Sequence, residues 1–180
     1  MRLRVHEISK ATSPRLYVGG PIPDSDRTGI VEVVTEDSSR LWAELVHSDP
    51  NLHGVACMPE GHWSQLNEES WMDWYESANH SDRPDTVVPA LHRVTGWSES
   101  DTVLFLFNKW TIYKTTWGVF LRNWRAFLRM NDEPLIIRPG NNVYICFGSS
   151  GGIAWGYRPV HQAESQLEWV SAEPPSSACS

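Results

Sequence analysis

The sequence predicts an α+β fold: one domain with a mostly antiparallel sheet, helices packed on one face, and a β-meander at the carboxyl end. Three stretches carry that expectation. "TVLFLFN" (102–108) is a continuous apolar run bounded by polar residues, the pattern of a buried strand. "TTWGVFLRNWRAFLRM" (115–130) changes to a helical period. "PLIIR", "VYICFG" and "IAWGYR" then follow, joined by the turns "PGNN" and "SSGG", as short β-rich runs that suit an antiparallel meander. Segregated helices and antiparallel strands define the α+β class.

The chain has 180 residues, 41% hydrophobic and 21% charged, which is enough for a single core. A domain is expected over 1–170, with the small, polar, Pro-rich end "SAEPPSSACS" (171–180) as a flexible tail. Ten tryptophans are the compositional outlier, and most are expected in the core. No apolar run is long enough to span a membrane, and the charged start "MRLRVHEISK" lacks a signal-peptide core. Cys57, Cys146 and Cys179 are odd in number and widely spaced, no disulfide framework, so a reducing, cytoplasmic location is expected.

Along the chain, "RLYV" and "GIVEVV" read as strands flanking the Gly-, Pro- and Asp-dense loop "VGGPIPDSDRTG" (18–29). "TEDSSRLWAELV" reads as a helix, with hydroxyl caps, acidic residues at its positive end, and Leu41, Trp42 and Leu45 on one face. "NEESWMDWYESA" (67–78) reads as another, ended by "NHSDRPD". In the 115–130 helix, Thr115 or Thr116 serves as N-cap, and Trp117, Phe120, Leu121, Trp124, Phe127 and Leu128 form a core stripe. Burying each is worth about 1.5–3 kcal/mol, too much for the stripe to face water.

Charge is unevenly distributed. Residues 1–101 carry eight Lys/Arg against seventeen Asp/Glu, a net of −9, whereas 102–160 carry seven against two, a net of +5. Two candidate surfaces follow. Glu68, Glu69, Asp73 and Glu76, with an exposed Trp74, form an acidic partner-binding surface. Arg122, Arg125 and Arg129, with Lys109 and Lys114, form a basic ridge that either pairs internally with Glu69, Asp73 and Glu76 or grips phosphate or an acidic protein. Three arginines in an acidic chain are a weak footprint for nucleic acid.

Catalytic signals are sparse. His53, Cys57 and His62 in "HGVACMPEGH" are weak metal candidates, because their spacing lacks the paired ligands of a zinc site. Cys57 is a candidate nucleophile only with an imidazole beside it, from His62, His80 or His92. "GSSGG" lacks a Walker lysine and joins two strands, so no phosphate cradle or cofactor motif is present.

Residues 101–159 resemble a small bacterial family of uncharacterised proteins. Thr116, Trp117, Phe120, Trp124, Phe127, Leu128, Asp132, Pro134, Leu135 and Ile136 carry the likeness. The resemblance implies no catalytic residue and no cofactor. The general look of the family is similar to that of bacterial immunity and accessory proteins. The expectation is therefore a non-enzymatic binding protein with a protein partner, an immunity or accessory protein in its most concrete form. A hydrolase or transferase built on Cys57/His62, and nucleic-acid binding through the arginine ridge, are the alternatives.

Overall fold

The computed structural model describes residues 1–9, 13, 16, 21–54, 57–65, 74, 77, 85–128, 133–148 and 151–172. Eight strands form one sheet: β1 (Arg2–Glu7), β2 (Val31–Val33), β3 (Thr102–Asn108), β4 (Thr111–Thr116), β5 (Leu135–Ile137), β6 (Val143–Phe147), β7 (Ile153–Tyr157) and β8 (Glu168–Ser171). Their order is β7-β6-β5-β3-β4-β2-β1-β8, and every neighbouring pair is antiparallel except β1–β8. The described helices are α1 (Asp24–Arg27), α2 (Thr35–Leu45), α3 (Val87–Thr95) and α4 (Trp117–Leu128). Short 3-10 turns lie at Trp63–Gln65 and Gln162–Gln166. Among the described residues, no helix is long and apolar enough to cross a membrane.

The expected α+β class, mostly antiparallel sheet and carboxyl-terminal meander β5-β6-β7 are those observed. Helical cover extends to both faces, however. Alternation along β3 sends Val103, Phe105 and Phe107 into one apolar cluster and Leu104 and Leu106 into another. α4 seals the first cluster, where Phe105 meets Phe120 and Phe127 at ring-centroid distances of 6.1 and 5.1 Å. α2 seals the second with Leu41, Trp42 and Leu45. A strand buried on both faces needs no polar alternation, which is why "TVLFLFN" is continuously apolar.

α4 occupies 117–128, and all six stripe residues are buried. Thr116 ends β4 and accepts a hydrogen bond from the Val119 N–H at 3.4 Å, the capping role expected of it. The next two N–H groups, of Trp117 and Gly118, donate to the carbonyls of Asp101 and Glu99. Glycine at 118 suits that contact, because a Cβ there would stand 3.0 Å from the Glu99 Cβ and the Glu99 side would have to give way. Asp85 accepts from the Val87 and Val88 N–H groups at the start of α3 and from the Trp124 indole at 2.9 Å. One carboxylate thus couples α3 to α4.

The crossing from β7 to β8 is pinned by an ion pair with both side chains fully buried. Arg158 donates to Glu164 at 2.8 and 2.5 Å, and Glu164 also accepts from the Gly140 and His161 N–H groups. Strand β8 then lies parallel to β1, in register from Arg2↔Glu168 to Val5↔Ser171. The Ala172 N–H still bonds the Val5 carbonyl. The rest of the expected tail, 173–180, lies outside the described residues.

Candidate functional site

An exposed aromatic anchor stands at the tip of the β3–β4 hairpin. The ladder shifts register between Leu106 and Asn108, and the chain reverses through Lys109 and Trp110. The Asn108 side-chain oxygen accepts from the N–H groups of Trp110 (2.9 Å) and Thr111 (3.0 Å), which fixes the turn. Among nine described tryptophans, Trp110 alone is exposed, at 45%.

The loop after α2 holds this tip in place. Asp49 accepts from the Asn51 backbone and side-chain amides at 2.9 and 3.0 Å, and its own N–H donates to His47 Nδ1. His53 Nδ1 donates to the Asn51 carbonyl, and the His53 ring stacks on Trp110 at 5.2 Å between centroids. Lys109 closes the clamp: its N–H bonds the His53 carbonyl at 3.0 Å, and its ammonium donates to the Pro50 carbonyl. That ammonium also lies 5.4 Å from the Trp110 ring centroid, a cation–π contact. The indole is thus contacted by both an imidazole and a cation, which limits the freedom it has to lose on binding.

Two of the residues singled out from the sequence, His53 and Lys109, meet at this tip. The other basic candidates are dispersed, so there is no single ridge among the described residues. Lys114 faces the α2 side of the sheet with Leu104 and Ile112, its ammonium 5.5 Å from the Trp169 ring centroid, and burial lowers its pKa. Arg122 and Arg125 lie on α4, over the opposite face. Arg122 donates to Asp26 at 2.7 Å, and Arg125 donates to Asp85 at 3.3 Å and covers the Trp124 ring. The described ion partners of these arginines are therefore Asp26 and Asp85. Arg129 lies outside the described residues, as do Glu68, Glu69, Asp73 and Glu76.

Trp74, expected to be exposed, is buried. It is 4% exposed, donates its indole N–H to the Gly148 carbonyl at 3.2 Å, and packs edge-on against Phe147. It belongs to the core cluster on the α4 side.

Cys57 is exposed, while His62 is committed elsewhere. The His62 Nε2 donates to the Val46 carbonyl at 3.0 Å, and Nδ1 accepts from the Ser64 hydroxyl (2.7 Å) and N–H (3.2 Å). Desolvation lowers its pKa and favours the neutral ring. Neither nitrogen is free to take a proton from Cys57. Among the described residues, no three His, Cys, Asp or Glu side chains gather as a metal site.

The sequence reading names Lys109 for a basic ridge and omits Trp110, because it assigns no element to residues 109–114. A tryptophan in a polar "NKWT" turn between two strands was the available signal. The fold and this surface define a small α+β protein built around a two-sided sheet with an exposed aromatic tip. The chain belongs to a protein family of unknown function, DUF2947, which it matches over residues 19–156. No curated protein and no solved structure matches it.

Proposed function

We propose that this chain is a non-enzymatic binding protein that engages a protein partner through the Trp110 tip. Its most concrete form is a bacterial toxin-immunity or accessory protein of the cytoplasm. The observation that supports this reading is the exposed indole, immobilised by His53 and Lys109 beside a loop stiffened by Asp49. Rigid tryptophans ringed by polar groups are the residues that dominate protein interfaces. The commitment of both His62 nitrogens weighs against a Cys57-centred hydrolase or transferase.

The test is affinity capture from the native host with wild-type protein and Trp110→Ala, together with thermal melts of both. Truncating such an anchor costs about 2 kcal/mol or more, roughly thirtyfold in affinity. The expected result is a stable protein partner lost in the variant while the melting temperature is retained. Failure to capture a stable partner, or equal capture by the variant, overturns the reading. For the immunity form, a toxin encoded immediately upstream would be neutralised by co-expression of the wild-type chain.

A further inference from the structure

A second surface, distinct from the hairpin tip, is carried by the exposed side of β1. An open groove of about 1240 Å³ runs over this strand between the start of α2 and the end of β8. Arg2, Arg4 and Arg40 line it, in the half of the sequence whose overall charge is strongly negative.

One buried carboxylate organises the arginines. Asp37 is 3% exposed and accepts Arg4 Nε at 2.9 Å, the Arg4 N–H at 2.8 Å and Arg40 at 2.5 Å. It extends the β1 ladder where β2 turns into α2. Two guanidinium groups meet on this carboxylate, Arg4 also reaching Glu36, and both remain more than half exposed. Arg40 also donates to the Arg2 carbonyl at 3.3 Å. The exposed Arg2 guanidinium has no carboxylate hydrogen-bonded to it among the described residues. Glu7 is the other acid in the lining. Glu168, beside Arg2 in register, and Glu36, 3.4 Å from Arg4, are exposed and outside the lining. The groove therefore offers one guanidinium, that of Arg2, with no carboxylate bonded to it among the described residues, beside two that are still more than half exposed and already bind a carboxylate at Asp37.

Geometry selects the kind of anion. Arg2 and Arg4 alternate on one face of a strand, about 6.7 Å apart, which is also the spacing of alternate side chains in an extended peptide. The groove is open and larger than the roughly 300–1,000 Å³ of a small-molecule pocket. Ser171, at the end of the terminal strand β8, lies along its other wall. We infer that this groove is a docking site for an extended acidic peptide segment of a partner protein, whose alternate carboxylates sit on Arg2, Arg4 and Arg40. This inference shares with the preceding section the premise of a protein partner, and it does not depend on Trp110.

Fluorescence anisotropy with labelled deca-glutamate as probe and deca-glutamine as control tests it on the full chain. The expected result is deca-glutamate binding that weakens with salt and falls about tenfold in Arg2→Glu, with no binding of deca-glutamine. Because Arg2 is exposed and makes no described ion pair, that variant is expected to melt like the wild type. Arg93→Glu, an exposed change on α3, and Trp110→Ala are expected to leave peptide affinity unchanged. Absence of deca-glutamate binding overturns the proposal, as does an equal loss in Arg93→Glu. A matching loss in Trp110→Ala would move the peptide to the tip and likewise overturn the groove. Tripolyphosphate binding more tightly than the peptide would replace the peptide assignment with a phosphate ligand.

Discussion

Replacing Glu164 by glutamine removes one charge from a pair in which neither side chain reaches solvent. The Arg158 guanidinium is then left buried without a counter-ion, with the carbonyls of Pro159 and Arg138 and one amide oxygen at 164 as its described acceptors. Breaking a buried pair from one side costs about 3–5 kcal/mol. At roughly 2–4 °C per kcal/mol for a domain of this size, the melting temperature should fall by roughly 6–20 °C. Arg158→Met combined with Glu164→Gln should be more stable than Glu164→Gln alone by about 1 kcal/mol or more. In the double variant the stranded charge is gone, while the amide oxygen still accepts the N–H of His161 or Gly140. Urea denaturation of the wild type, both single variants and the double variant closes the cycle. A Glu164→Gln cost below about 1 kcal/mol would refute the reasoning, as would strictly additive single-variant costs.

Acid stability should carry the signature of Asp37. The hydrogen bond from Arg4 is the main cause that holds its carboxyl down to about 2, against the opposing effect of burial. A lowered carboxyl contributes stability in full above its unfolded pKa of about 3.9 and loses it as pH falls toward the folded value. Urea midpoints measured from pH 5 to pH 2 should therefore drop less steeply in Asp37→Asn than in the wild type. Thiol accessibility gives a second test. Cys57 is exposed, whereas burial raises the Cys146 thiol to about 12. In a Cys179→Ser background, an aromatic disulfide reagent should titrate one thiol in the native protein and two after denaturation.

The elements read correctly from the sequence are those whose pattern is local and strong. The 115–130 stripe became α4, "TVLFLFN" became β3, and the three β-rich runs became the meander. The elements that escaped depend on distant partners. "RLRVHE" alternates Leu3 and Val5 inward against arginines outward, yet it becomes a strand only through β2 and through β8, some 165 residues away. "TIYKTT" was hidden because its last two threonines also fit a helix cap, and Thr116 serves as both strand end and cap. α3 is short and contains a proline, so its pattern is weak until Asp85 and the Gly96 turn bound it.

The candidate site was legible only in part, for a related reason. Tryptophan identity does not reveal exposure: Trp74 and Trp110 both stand beside charged residues in sequence, and partners distant in sequence, Phe147 and the Gly148 carbonyl, are what bury Trp74. The arginines of α4 likewise looked like one ridge until Asp26 and Asp85, distant in sequence, arrived beside them. By residue type His53 is a weak metal candidate, whereas in the fold its ring stacks on an indole.

The parallel pairing of β1 with β8 has a mechanical consequence. Met1 and Ala172 lie at opposite ends of this strand pair, because the two strands run the same way. Tension applied between those residues would pull the strands lengthwise past one another, loading the slanted, evenly spaced bonds of the ladder together and not one after another. The seam that joins the first strand to the last described strand therefore acts as a shear clamp, and the chain should yield to stretching in one abrupt step.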